Sequence, residues 1–361
     1  MAVFIAIMQQ TIKRPTLRDV AENAGVAVST VSSILNERPD SWASQETRDR
    51  VFAAAQALNY RPNRMAQALR SSHFRAATLV VPDLTNPFFA LLARAIQRSM
   101  EQAGYELLIE DSEVNPEREK KILSDVASHN TDGVILILST DVALHAERLD
   151  ELSRTFPVVQ IGLPMPGSRI DTLQSDWTMS LRKAIDHLVK LGHRSLGFVD
   201  SMVGRNDGLE RVAIFRKELK QVGLTLDQRN WVRCHHDVND VRVATGRWAS
   251  ETVPGERATA FICTNDYTAL GTIRGLLDAG LSVPDDISVV GFDDIPLASY
   301  LPRPLTTIAQ PMAQMAAAAS QILLDRISGK MQGPATHHMF ATSLIIREST
   351  APPPVVEKKG A

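Results

Sequence analysis

Two pairs of adjacent carboxylates, Asp285-Asp286 and Asp293-Asp294, are the first candidates for chemistry in this sequence. Paired carboxyl groups can serve as a general acid and a general base. Neither pair comes with a nucleophile motif, and the sequence contains no Walker phosphate loop, no G-x-G-x-x-G after a strand and no G-x-S-x-G elbow. An enzyme is therefore an alternative interpretation and not the first one.

Histidines and cysteines are the next candidates, because both residue types bind metal ions. They cluster at residues 234–236 (Cys-His-His) and 337–338 (His-His). Adjacent residues on one strand or loop point in different directions, and no second cluster has the spacing of metal ligands. We therefore expect no metal site and no cofactor, and we expect the two cysteines, Cys234 and Cys263, to be reduced.

Short apolar runs alternate with helix-length segments from residue 76 onward. The runs lie at 78–81, 106–110, 133–138, 158–161, 196–200, 260–264 and 288–292. Repeated strand–helix–strand order predicts parallel sheets with helices on both faces, and this many strands fit two such units better than one. Ligands of open parallel sheets bind beyond the carboxyl ends of the strands. The candidate positions are therefore 82–86, Ser139, Gly162, 200–206, Asn265, Asp266, Asp293 and Asp294.

The first 60 residues show helical patterns and no strand pattern. A capping box at Thr16 and Asp19 predicts a first helix, Gly25 lies in a turn, and a second helix follows at 28–35. A third helix is expected at about 45–58. Two helices joined by a short glycine-containing turn form a helix-turn-helix, and the third closes its core. Residues 63–70 could form only two helical turns without a core, so they predict a hinge that folds when something binds it.

Charge and composition agree with this division. The chain has 361 residues, 44% of them hydrophobic and 22% charged, which indicates a folded protein of two or three domains. Residues 1–72 contain nine Lys and Arg against six Asp and Glu, a net charge of +3, whereas the whole chain carries −2. A basic head on an acidic body is compatible with binding a polyanion. No apolar run approaches a membrane span and residues 3–8 are too short for a secretory signal, so we expect a cytoplasmic protein without a membrane partner, whose translation starts at Met1 or Met8.

Seven sequence motifs, in order, resemble the LacI/GalR-type bacterial transcription repressors. The resemblance covers roughly residues 15–350. The motifs are TLRDVAENAGVAVSTVSSILN (16–36), NYRPNRMAQAL (59–69), VPDLTNPFF (81–89), HLVKLGHR (187–194), TND (264–266), DISVVGFDD (286–294) and PLTTIAQ (304–310).

The resemblance implies a small all-α helix-turn-helix head and an α/β effector domain of two lobes, similar to periplasmic binding proteins. The expected divisions are an N-terminal extension at 1–14, the head at 15–60, a hinge helix and linker at 61–75, the effector domain at 76–350 and a disordered tail at 351–361. Lobe one would comprise about 76–173 and 312–337, and lobe two about 174–311 and 338–347.

In this family the second helix lies in the major groove of operator DNA, and the paired hinge helices of a dimer insert a leucine into the minor groove. The matched positions make Val28, Ser29 and Ser33 candidates for contacts with bases. The further candidates for DNA contacts are Leu17, Thr30, Ser32, Asn36, Tyr60, Asn63, Ala66 and the wedge Leu69.

Three features of the head depart from the family pattern. Ala27 stands where a serine usually caps the second helix, and Ser33 stands where a base-reading arginine is common. Residues 36–48 are about two residues longer than the pattern. The operator therefore need not have the usual family sequence.

The same matching gives an effector site between the lobes. Arg211 is expected to be the ligand-binding arginine, and a polar set suits the hydroxyl groups of a sugar or polyol. Phe88 and Phe89 are expected to offer an aromatic wall. The full set is Phe88, Phe89, Asp176, Arg211, Asn265, Asp293 and Gln310. Gly162-Leu163 replaces the common Asp-Arg pair, which leaves an acidic sugar, a nucleoside or a purine open as the effector.

The expected protein is thus a DNA-binding transcriptional regulator that a small molecule controls. Its tail has no leucine heptad, so we expect a homodimer and no larger assembly. A ligand sensor without specific DNA binding is one alternative, and a doubly wound α/β enzyme is the other.

Overall fold

The computed structural model describes residues 15–35, 43–61, 73–139, 142–164, 168–201 and 206–354. The chain divides into two compact units, Met1–Phe74 and Arg75–Ala361. The first unit is the head and the second is the effector unit.

The head contains three helices in its described residues, α1 (Leu17–Ala24), α2 (Val28–Leu35) and α3 (Gln45–Ala57). Thr16 and Asp19 form the expected capping box, since each side chain accepts a hydrogen bond from the backbone N–H of the other. Gly25 ends α1 with φ at 64°, a conformation that glycine adopts without steric cost. Small and branched apolar side chains of all three helices fill one core, so the helix-turn-helix prediction is confirmed.

The effector unit alternates strands and helices along its described residues. The strands are β1 (Ala76–Val81), β2 (Glu106–Asp111), β3 (Val134–Leu136), β4 (Val158–Ile161), β5 (Asp171–Ser175), β6 (Leu196–Asp200), β7 (Trp231–Arg233), β8 (Ala260–Cys263), β9 (Ser288–Asp293), β10 (Thr306–Ala309), β11 (His337–Phe340) and β12 (Ser343–Ile345). The helices are α4 (Pro87–Gln102), α5 (Pro116–Asp125), α6 (Ala146–Thr155), α7 (Trp177–Leu191), α8 (Asn206–Gln221), α9 (Val238–Glu251), α10 (Asp266–Asp278) and α11 (Met312–Ile327).

The strands form two six-stranded sheets, and each sheet is the centre of one lobe. The order in the first is β11-β5-β4-β3-β1-β2, and the order in the second is β12-β10-β9-β8-β6-β7. All pairings are parallel except that of β12 with β10. The predicted pair of parallel sheets is confirmed.

Helices cover the second sheet on both faces. Apolar side chains of α7 and α8 pack on β6, β8, β9 and β10 in one core. On α9 and α10 the backbones approach closely, because a Cβ added at Gly275 would meet the Arg242 carbonyl oxygen at 2.4 Å. This packing fixes the strand ends from which the candidate side chains project.

The chain crosses between the lobes three times, after β5, after β10 and after β11. β11 belongs to the first sheet, so the third crossing lies after Phe340, and the first lies after Ser175. Both are a few residues later than the expected boundaries at 337 and 173. The crossings are bonded to one another: the Thr342 hydroxyl donates to the Asp176 carbonyl oxygen at 2.7 Å, and the Asp176 N–H donates to the Phe340 carbonyl oxygen at 2.8 Å.

Residue 351, at the expected start of the tail, is bonded to the second lobe. The carbonyl oxygen of Ala351 lies 2.8 Å from His193 Nε2 and accepts a hydrogen bond from the Ser288 hydroxyl at 3.1 Å. Residues 351–354 are therefore part of the fold, in contrast to the expectation of disorder from residue 351. No helix within the described ranges is long and apolar enough to cross a membrane.

Candidate effector site and DNA-reading helix

Helix α2 presents the polar surface that the helix-turn-helix prediction requires. Val31 and Ile34 are buried in the head core, whereas Val28 is 43% exposed and Ser29 is exposed. Thr30, Ser32 and Ser33 are partly exposed. The candidates on this helix therefore lie on or beside its outer surface, which can contact DNA.

The remaining candidates of the head have different positions. Leu17 and Tyr60 pack against its apolar core and are half-buried. Both remain predictions as DNA contacts. The candidates Asn36, Asn63, Ala66 and Leu69 lie outside the described residues.

Arg211, on α8 of the second lobe, lies against two aromatic rings. Its guanidinium carbon is 4.4 Å from the ring centroid of Trp177 and 5.7 Å from that of Phe292. The two rings stack on each other with centroids 4.3 Å apart and planes 20° apart. Arg211 Nη1 also donates to the carbonyl oxygen of Thr264, directly after β8, at 3.1 Å. The arginine is thus held at the carboxyl ends of β8 and β9.

A chain of hydrogen bonds connects two other candidates with the first crossing. Gln310 Nε2 donates to Asp293 Oδ1 at 2.7 Å, and the Ser175 hydroxyl donates to Gln310 Oε1. Gln310 directly follows β10 and Asp293 ends β9, so both lie at the carboxyl end of the second sheet. Arg211 reaches the same end of the sheet from α8. The predicted Asp293 and Gln310 are therefore neighbours, and Ser175 belongs with them.

Both the ionised form of Asp293 and its backbone conformation are unfavourable. Its side chain is 5% exposed, and burial together with the Asp266 carboxyl group raises the pKa of Asp293 well above its usual value, against the lowering effects of the Gln310 hydrogen bond and the Arg211 charge. Its φ of 118° is also one that residues with a Cβ rarely adopt. Strained, desolvated groups persist where the surrounding structure imposes them, and such groups concentrate at binding sites.

Asp266, the first residue of α10, is bonded to the strands that carry these side chains. The carboxylate is fully buried, accepts from the Ile295 N–H at 2.9 Å and accepts from the Thr307 hydroxyl. Burial raises its pKa to about 7. Glycine is required at position 291, because a Cβ there would lie 2.1 Å from Asp266 Oδ1. Asp266 therefore links the ends of β8 and β9 to β10.

Two predicted site residues act as helix caps. Asp176 Oδ1 accepts from the Thr178 N–H at 3.0 Å at the start of α7, and Asn265 Oδ1 accepts from the Thr268 N–H at 2.7 Å at the start of α10. Both side chains are half-buried. A cap uses one oxygen, so a ligand contact by either residue is still a prediction.

The aromatic residues of the first lobe form less of a wall than we expected. Phe88 is 7% exposed and packs in the apolar core, while Phe89 is half-buried and meets it edge to face at 5.4 Å. Of the two, Phe89 has more surface for a ligand. The aromatic face beside Arg211 comes instead from Trp177 and Phe292, which the sequence prediction missed.

The residues of the two histidine-containing clusters have separate partners in the structure. His337 and His338 bond to Thr172 and Thr336 at the edge of the first sheet. His236 Nε2 lies 4.0 Å from Asp83 Oδ2 of the first lobe, and Cys234 is buried. Within the described ranges no group of three His, Cys, Asp or Glu side chains has an arrangement that could hold a metal ion.

Comparison with known proteins gives the same two parts. Residues 16–63 match the model of bacterial regulatory proteins of the lacI family, and residues 185–350 match that of a periplasmic binding protein-like domain. The chain is 30% identical over 341 residues to the HTH-type transcriptional repressor PurR of Photobacterium profundum, which covers 92% of this chain and 98% of that protein.

Solved structures give the same result for the fold. The chain is similar to a lac repressor dimer bound to operator and the anti-inducer ONPF, with a TM-score of 0.80, 26% identity, and coverage of 94% of this chain and 100% of that one. It is also similar to a complex of the transcriptional regulator CelR with cellobiose, with a TM-score of 0.68, 27% identity, and coverage of 93% and 100%.

These relatives are transcriptional regulators and not enzymes, which decides against the doubly wound enzyme. The similarity to the PurR repressor extends over the head and both lobes. The resemblance inferred from the seven motifs is confirmed. The chain belongs to the LacI family and is a DNA-binding transcriptional repressor with an effector-binding domain.

Proposed function

We propose that this repressor binds a roughly two-fold symmetric operator as a homodimer, and that a small polar effector bound beside Arg211 changes its affinity for DNA. The observation that carries the proposal is the cluster of Arg211, Asp293 and Gln310 around the Trp177–Phe292 face. It lies at the carboxyl ends of parallel strands, where ligands of such sheets bind. A cytoplasmic location accompanies this function.

A sugar or a sugar-like metabolite is the class of effector that the site favours. Arg211, Asp293 and Gln310 offer hydrogen-bond donors and acceptors side by side, which suits a ring that carries hydroxyl groups. The CelR structure contains cellobiose, which supports this class. An acidic sugar, a nucleoside or a purine would fit the same donors and acceptors.

Two exposed apolar regions support a homodimer. β2 is an edge strand of the first sheet, and its Leu108 and Ile109 are 37% and 39% exposed. In the second lobe Val243 of α9 and Leu277 of α10 are at least half exposed. A second copy of the chain would cover such surfaces, as symmetric dimers do.

Footprinting of the full-length protein on genomic DNA tests the operator. We expect protection of a symmetric site, with an affinity that falls steeply as salt rises, because the basic head releases counterions from phosphates. Weak protection without sequence preference would indicate a ligand sensor that has lost DNA recognition.

Replacement of Leu69 by alanine tests the hinge. If Leu69 is the wedge of the minor groove, Leu69→Ala weakens operator binding and reduces DNA bending, and it leaves effector affinity without DNA nearly unchanged. Circular-permutation bending assays and calorimetry on the same variant measure both quantities. Parent-like bending and binding would show that Leu69 is not a wedge.

A further inference from the structure

Trp177 forms the aromatic face beside Arg211 together with Phe292. It is the first residue of α7, directly after the Asp176 cap and the first crossing between the lobes. Its side chain is 8% exposed. The indole is therefore a fixed part of the second lobe and not a mobile surface group.

The indole and Phe292 restrain the guanidinium of Arg211 together. The three centres form a triangle with sides of 4.3 Å between the rings, 4.4 Å from Trp177 to the Arg211 guanidinium carbon and 5.7 Å from Phe292 to the same carbon. A cation is attracted to the electron-rich face of an aromatic ring, and the indole gives the strongest attraction of this kind. The hydrogen bond from Arg211 Nη1 to the Thr264 carbonyl oxygen adds a restraint from another direction.

The polar atom of the indole does not explain why a tryptophan stands here. Trp177 Nε1 is buried and has no hydrogen-bond partner among the residues that the structure describes. A buried donor without a partner is unfavourable, and a phenylalanine or leucine in the same place would not have this cost. The face of the ring, which contacts Arg211, is the property that a smaller apolar residue would not supply equally.

We propose that Trp177 is a positioning residue that holds Arg211 in its ligand-binding orientation before the effector arrives, and so sets effector affinity. An arginine that is already ordered loses less conformational freedom when the ligand binds, and this raises affinity without a new contact. The proposal rests on the proposed function, because effector contact by Arg211 is itself a proposal.

The test compares Trp177→Leu and Trp177→Phe with Trp248→Leu in the full-length protein. Trp248 is a matched control, since it is 6% exposed in the same lobe and packs edge to face on Phe261 at 4.6 Å. Trp248→Leu removes a buried indole elsewhere together with its hydrogen bond to Asn230 Oδ1, so it reproduces at least the general loss of stability. Trp177→Phe keeps an aromatic face and covers the case in which Trp177→Leu folds poorly.

The first measurement needs no effector. In ¹⁵N NMR of arginine side chains, the Nε–H signal of Arg211 is expected to be shifted by the ring current of Trp177 and to exchange slowly. Trp177→Leu should abolish the shift and speed the exchange, and Trp248→Leu should change neither. An Arg211 signal that stays equally ordered in Trp177→Leu overturns the proposal.

The second measurement uses D-glucose, D-ribose, cellobiose, D-gluconate and adenosine as probes in thermal-shift titrations. For a probe that stabilises the parent, Trp177→Leu should weaken binding by about tenfold or more, about 1.4 kcal/mol, and Trp177→Phe by about threefold or less. In an Arg211→Lys background Trp177→Leu should have little further effect, because its action passes through the arginine. An unchanged dissociation constant in Trp177→Leu, or equal losses in both backgrounds, overturns the proposal.

Failure of the proposed function gives a different result. If Arg211→Ala binds the probes as the parent does, Arg211 is not an effector residue and the proposal on affinity falls with it. The NMR measurement still decides whether Trp177 orders the arginine. The two failures are therefore distinguishable.

Discussion

The two lobes have different polar groups at the carboxyl ends of their parallel strands. In the first lobe, Glu119 is fully buried, accepts from the backbone N–H and hydroxyl of Ser139 and lies 2.9 Å from His145 Nε2. Asp83 Oδ1 accepts from the N–H and hydroxyl of Thr85. The hydrogen bonds that these carboxylates accept come from residues of their own lobe, and Asp83 Oδ2 also lies 4.0 Å from His236 Nε2 of the second lobe.

In the second lobe the ionised form of the acidic group at the end of β9 is disfavoured. Asp293 is buried, has a raised pKa and lies in the field of Arg211. A buried carboxylate with local donors stabilises its lobe, whereas a desolvated one beside a cation can exchange partners with a ligand. We therefore expect the carboxylates of the first lobe to have a structural role and Asp293 of the second lobe to have a binding role.

The largest expected effect is that of Arg211→Ala. The variant should lose the effector response, and its operator affinity should stay within a few-fold of the parent, because a charge-assisted hydrogen-bond donor is hard to replace. Operator binding with and without effector measures both. Arg216→Ala is the control, since Arg216 lies on the same helix and stacks on Trp231 at 4.7 Å. An equal loss of the effector response in both variants would show that Arg211 acts through the structure of α8 and not through a contact with the effector.

A smaller effect, on stability alone, is expected from Glu119→Ala in the first lobe. Removing one member of a buried polar group leaves Ser139 and His145 without this acceptor, which typically costs about 3 kcal/mol of unfolding free energy. Urea denaturation measures it. Glu117→Ala is the control, because Glu117 is exposed on the same helix and its removal should change stability by about 0.5 kcal/mol or less. A changed effector affinity in a folded Glu119→Ala would mean that the first lobe also has a binding role.

Strands with strong apolar runs could be predicted from sequence, and those without such runs could not. β1, β4, β6, β8 and β9 are almost completely buried and agree with the predicted runs. The prediction missed β11, whose sequence His-His-Met-Phe is polar and mostly exposed at the sheet edge. It also missed β5 and β10, in which polar residues interrupt the apolar run, and β7 and β12, which have three residues each and no longer apolar run around them.

The candidate site shows the same limit. Arg211, Asp293 and Gln310 could be named as candidates from motifs, because Asp293 ends a strand, Gln310 directly follows a strand and Arg211 lies in a helix, each within a segment that matches the family. Trp177 and Phe292 could not be assigned to the site, because apolar residues at these positions look like ordinary core, and both do pack in the core of the second lobe. Ser175 joins the site only through the crossing between lobes, which depends on contacts between distant parts of the chain.

The smallest expected effect is a pH dependence of stability that distinguishes the carboxylates of the second lobe. The pKa of Asp266 is raised from 3.8 to about 7 by burial, so the folded chain keeps a proton that the unfolded chain loses above about pH 4. The stabilisation is therefore complete at low pH and is lost as pH rises towards 7, by at most about 1.4 kcal/mol per pH unit. Asp293 acts in the same direction.

Asp266→Asn isolates the share of Asp266. We expect the stability of the variant to be close to that of the parent at pH 5, because the amide, like the protonated carboxyl group, has one oxygen that can accept from the Ile295 N–H and one group that can donate to the Thr307 hydroxyl. As pH rises to 7 the parent should lose stability relative to the variant, since the amide does not titrate. Asp278→Asn is the control: hydrogen bonds from Arg242 and Arg274 lower the pKa of Asp278, so its carboxyl group is ionised from pH 5 to 7 in both states and the slope should not change. Denaturation curves of the three proteins between pH 5 and 7 measure the slopes. Parallel curves for the parent and Asp266→Asn would show that Asp266 titrates as an ordinary carboxyl group and that its pKa is not raised.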